Sequence, residues 1–132
     1  MPDGALTAHV ARALARSLSD RPVDVLFDHG DPLTDNPDCL GEIVSWYGDR
    51  YVAHARLALL DIAVVRKERD EVVALIEIEE SAATPKVVLG DLFGTLMGDH
   101  ITFQGKRALQ VGSGTTLVVL VQGAGEGKSG VT

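Results

Sequence analysis

The chain has 132 residues, 45% of them hydrophobic and 23% charged, with a net charge of −7 and a pI near 4.9. This size and mix specify one globular domain, and aromatics at only 5% make its core aliphatic. The acidic balance argues against tight non-specific nucleic-acid binding by the monomer, because phosphate contacts need Lys and Arg, although a local basic patch is compatible with it.

Cys39 is the single cysteine, so an intramolecular disulfide and a cysteine-based zinc site are both excluded, and a reducing compartment is the default. The start MPDGALTAHVARALARSLSD lacks the basic opening and apolar core of a signal peptide. No apolar run approaches the roughly 18 residues of a membrane span. The expectation is a soluble, cytoplasmic protein with no membrane partner.

Leu6, Val10, Leu14 and Leu18 recur at helical spacing and predict a helix from Ala5 to Ser19, stopped before Pro22. Arg12 and Arg16 share one side of it, with Arg21 just beyond, as a solvated face or a small strip for a polyanion. Val23 to Phe27 reads as a short strand, and DHGDPLTDNPD as loop. His29 beside Asp28 and Asp31 serves turn chemistry there rather than a metal. Asn36-Pro37 looks like a helix start, with Leu40, Ile43, Val44 and Tyr47 following at helical spacing, Glu42 exposed and Gly48 ending the element.

Arg50 to Arg56, with His54, runs as a strand into or up to Leu57. Leu57 to Glu79 then reads as a β-hairpin: LALLDIAVV, a charged turn RKERDE, and VVALIEIE. Asp61 is a lone acid within an apolar strand, and Glu77 and Glu79, two apart, share one face of the next. A carboxylate buried unpaired costs several kcal/mol, so three grouped acids call for a cation, and a divalent metal is the natural one. With Glu68, Arg69 and Asp70 as a three-residue loop, Lys67 faces Glu71 and Asp61 faces Glu77. A slip of one residue would separate these two acids, so the site requires an odd loop or a bulge.

Thr84 and Pro85 open a helix that continues to Met97, with Lys86 in its first turn and Gly90, Gly94 and Gly98 in a row suited to close packing. Ile101 to Phe103 is a short strand, Gly105 to Arg107 a turn, Val111 to Gly114 another, and Thr115 to Val121 a strongly β-prone buried strand. The remainder, QGAGEGKSGVT, is Gly-rich and flexible in expectation. Its Gly127-Lys128-Ser129 does not complete a phosphate-binding loop, since Gln122 occupies the first glycine position and no helix follows.

The order Asp61, fifteen residues, Glu77-Ile78-Glu79, then a helix opening with Lys86 resembles the PD-(D/E)XK (restriction-endonuclease-like) nuclease superfamily, closely over Leu57 to Met97. The resemblance implies an α/β domain over residues 1–121, with a central mixed sheet flanked by helices in an α-β-β-β-α-β core, and the flexible tail at 122–132. It also implies Mg²⁺ or Mn²⁺ held by Asp61, Glu77 and the backbone carbonyl of Ile78, and cleavage of nucleic-acid phosphodiesters, DNA rather than RNA. Glu79 stands where the family carries lysine, as a second metal ligand or general base. Lys86 would supply the missing positive charge. Leu60 replaces the family's proline. A domain this small and acidic is expected to draw DNA contacts from a second copy or a partner protein. The competing expectation is a catalytically silent domain of the same fold serving as an interaction or assembly module.

Overall fold

The computed structural model describes residues 4–30, 37–48, 55–79 and 84–121. Helix α1 spans Ala5–Ser17 and lays Ala8 and Ala11 on the core, with Arg16 in its last turn, where a cation favours the helix dipole. The strands are β1 (Val23–Phe27), β2 (Ile43–Trp46), β3 (Arg56–Leu60), β4 (Ile62–Arg66), β5 (Val72–Glu79), β6 (His100–Phe103), β7 (Arg107–Gln110) and β8 (Thr116–Val121). Helix α2 spans Pro85–Leu96, capped by the Thr84 hydroxyl, which accepts the Val87 N–H at 3.3 Å.

These elements form two four-stranded sheets. The first runs β1-β4-β5-β8 and is mixed, since β8 lies parallel to β5 and the other pairs are antiparallel. The second runs β3-β2-β6-β7 and is antiparallel throughout. The sheets meet over a shared aliphatic core, with Leu26, Ala63, Val65 and Leu75 from one and Ile43, Leu60, Ile101 and Leu109 from the other. Val25, Ile62, Val64 and Ile76 cover the first sheet's other face against α1. Helix α2 bridges the two sheets along β3 and β8. The result is one small α/β domain whose mixed sheet has a helix on one face and a second sheet on the other.

Four elements differ from expectation. The segment at 37–47 is not a helix but a 3₁₀ turn, Pro37–Cys39, followed by strand β2. Ile43 and Ser45 point into the core, and a β-branched pair on a strand buried on both faces overrides weak helical spacing. Leu57 to Val65 is not one strand, because the chain leaves the second sheet at Leu60 and enters the first at Ile62. β7 takes the place of part of an expected turn and buries Leu109 completely. β8 is an edge strand with Leu120 and Val121 exposed, not a buried one. Asn36, Asp31, His54 and the tail 122–132 lie outside the described residues.

Candidate metal site

Asp61 is the single residue between β3 and β4, at the corner where the chain changes sheets. Its carbonyl accepts the Asp28 N–H at 3.1 Å, and its Oδ2 accepts the Ile78 N–H at 2.7 Å. The carboxylate thus takes the part of the strand that β4 no longer supplies beyond Ile62, giving the β5 backbone an acceptor.

The ladder pairs Ile62 with Ile76, and one further step puts Asp61 level with Glu77. That register is reached differently from expectation. Arg66, not Lys67, meets Glu71, with Arg66 N–H donating to the Glu71 carbonyl at 2.9 Å. The loop is therefore the four residues 67–70, and a bulge at Val73 restores the count, since Val64 faces Ala74 while Val65 faces Val72. Ile76 and Ile78 pack toward α1 and Leu75 packs between the sheets, so Glu77 and Glu79 share the inter-sheet face. Both are partly buried, and Oε1 of Glu77 is enclosed. Because N–H and C=O of one strand residue point to the same neighbour, the Ile78 carbonyl also looks toward Asp61. Lys86 is exposed in the first turn of α2.

The structure therefore brings Asp61 onto Ile78 and level with Glu77. It does not gather a ready-made cage: among the described residues, no three His, Cys, Asp or Glu side chains form a group that could hold a metal ion.

Asp28 is an acid whose sequence surroundings mark only a turn. It follows Phe27, which pairs with Ile62, so one more step sets it level with Asp61. Burial pushes its carboxyl up, the adjacent His29 pulls it down, and Glu42 pushes it up again. The signal for this neighbour was the pairing of 23–27 with 62–66, which single-strand patterns do not reveal. Three basic residues gather elsewhere. Arg12, Arg21 and Lys67 line a cavity of about 300 Å³ between α1 and β1, on the face opposite Glu77, and Lys67 reaches Asp24 at 3.8 Å.

Among the described residues, no helix is long and apolar enough to cross a membrane. The chain matches no family model, no curated protein and no solved structure.

Proposed function

We propose that this chain is a divalent-metal-dependent, nuclease-like domain that cleaves nucleic-acid phosphodiester bonds, DNA rather than RNA. The observation that carries the reading is the level placement of Asp61 and Glu77, held by the bond from the Ile78 N–H to Asp61 Oδ2. The element order supports it. Without the second sheet, the chain reads α1-β1-β4-β5-α2-β8, an α-β-β-β-α-β run whose acids stand at the start of its second strand and the end of its third. This run resembles the PD-(D/E)XK arrangement, with β2–β3 and β6–β7 as inserted pairs.

The donor set fits a hard cation. Two carboxylates and a carbonyl offer only oxygens, the ligands of Mg²⁺ and Mn²⁺. Asp61, Glu77 and the Ile78 carbonyl would hold the ion, which when bound supplies an activated water and offsets phosphate charge. Glu79, two residues along the same face, would hold or accept a proton from that water. Lys86 would contribute the positive charge that Glu79 cannot.

One observation favours a second reading. Asp61 Oδ2 already serves the β5 backbone, which is what a carboxylate that simply closes a sheet corner would do in a silent interaction module. Calorimetric titration of Mg²⁺ and Mn²⁺ against wild type and Asp61→Ala separates the two. Saturable binding by wild type alone is expected, followed by Mn²⁺-dependent cleavage of labelled single- or double-stranded DNA, with RNA as the comparison. No binding at millimolar metal leaves the silent module.

A further inference from the structure

Large apolar side chains are exposed in one region above all. Apart from Tyr47, every one among the described residues lies on α2, at its end, or on the strands β3 and β8 that it packs against. Leu89, Phe93, Leu96 and Met97 fall on one helical stripe, with Phe93 60% and Leu96 66% exposed. Gly90 lies on the same stripe, where an added Cβ would meet nothing within 4 Å, which leaves a hollow beside Phe93. Val121 extends the patch onto β8, whose outer edge is the end of the first sheet, while Leu120, level with Ile78, is exposed on the face toward α1.

We infer that this surface joins two copies of the chain, α2 against α2 and β8 against β8 across a two-fold axis. Four observations select a second copy as the occupant. The five exposed side chains of the patch, each offering about half of roughly 200 Å², provide on the order of 500 Å², the apolar share of the roughly 800 Å² per partner of a standard interface. The stripe is self-complementary, since an antiparallel crossing near Gly90 seats each Phe93 in the other copy's hollow. The edge of β8 is likewise complementary to itself, because two antiparallel copies can exchange ladder bonds. Finally, a chain of net charge −7 repels its own copy over most of its surface, whereas Thr116–Val121 carries no charge and Pro85–Leu96 only Lys86 and Asp91, which balance. Residues 122–132 hold only Ala124 and Val131 as apolar side chains, a composition with little to offer an apolar patch.

The test uses the full chain without metal or nucleic acid, so its failure is distinct from failure of the nuclease reading. Sedimentation velocity across the micromolar range is expected to give a concentration-dependent dimer. Phe93→Glu with Leu96→Glu should yield a monomer with an unchanged circular dichroism spectrum, because neither side chain is in the core. As a check independent of variants, the wild-type amides of Thr116–Val121 should exchange more slowly as concentration rises. A wild type monomeric at tens of micromolar overturns the inference, whether a hydrophobic dye then binds the patch or finds it covered by the chain itself. So does a dimer that survives the double substitution, or β8 exchange that ignores concentration.

Discussion

Asp61 and Ile78 are joined across the corner of the mixed sheet: the carboxylate of the residue that leaves β3 accepts the backbone N–H of a residue near the end of β5, at 2.7 Å. Any metal role for Asp61 is superimposed on this structural one, and the two can be separated. Asp61→Ala leaves a partly buried amide without its acceptor and should cost about 1–3 kcal/mol in denaturant titration. Asp61→Asn keeps an acceptor oxygen and should cost less, yet remove metal binding as fully as the alanine. If Asp61→Asn binds Mn²⁺ as wild type does, the carboxylate is not a ligand.

The glycine row along α2 and just past its end divides by what each position faces. A Cβ on Gly98 would lie 2.2 Å from Ser45 Oγ, one on Gly94 would lie 3.3 Å from the Leu57 carbonyl oxygen, and one on Gly90 would meet nothing within 4 Å. In the monomeric Phe93→Glu, Leu96→Glu background, where no second copy fills the space beside Gly90, Gly90→Ala should therefore stabilise the helix by about 0.5–1 kcal/mol. Gly98→Ala should destabilise by about 1–3 kcal/mol through overpacking, with Gly94→Ala between them. Ser45 Oγ is buried with no hydrogen-bond partner among the described residues, so Ser45→Ala should itself cost little and should rescue Gly98→Ala. Chemical denaturation of the four variants and the double measures this; additive losses in the double would mean that the contact is not the cause.

What could be read in the sequence was whatever one segment decides alone. Leu6 to Leu14 dictates an amphipathic helix wherever it packs, Thr84-Pro85 starts a helix by local chemistry, and Val72 to Glu79 is β-prone throughout. The acids' shared face followed from the two-residue period of β5. What was hidden depends on partners. Nothing in VVALIEIE marks Val73 as the bulged residue, because the bulge answers the length of the loop at 67–70. LALLDIAVV is apolar on both sides of Asp61, so a crossing between sheets looks the same as a continuous strand. Ile43, Val44 and Tyr47 satisfy helical spacing over so short a window that only the ladder to β3 and β6 decides against it. The edge position of β8 is invisible for the same reason, since edge and centre differ only in having a neighbour.

Two carboxyls with opposite surroundings give opposite dependences on pH. The His100 ring and the Gly48 N–H, which donates to Oδ2 at 3.0 Å, hold the Asp99 carboxyl below its ordinary value of 3.8. A lowered folded value means that the unfolded chain binds the proton more readily, so Asp99 adds stability above the ordinary value and loses it as pH falls through the lowered one. Asp28 behaves the other way. Burial raises its carboxyl above 3.8, so the folded state favours the neutral acid, and stability present below 3.8 is lost as pH rises through the raised value. Denaturation midpoints between pH 3 and pH 7 should therefore separate the variants. Asp99→Asn should lie below wild type at neutral pH and converge with it in acid. Asp28→Asn should match wild type in acid and exceed it at neutral pH. An Asp28→Asn protein less stable than wild type at neutral pH would mean that the pairing with His29, at 3.7 Å, outweighs desolvation at this corner of the sheet.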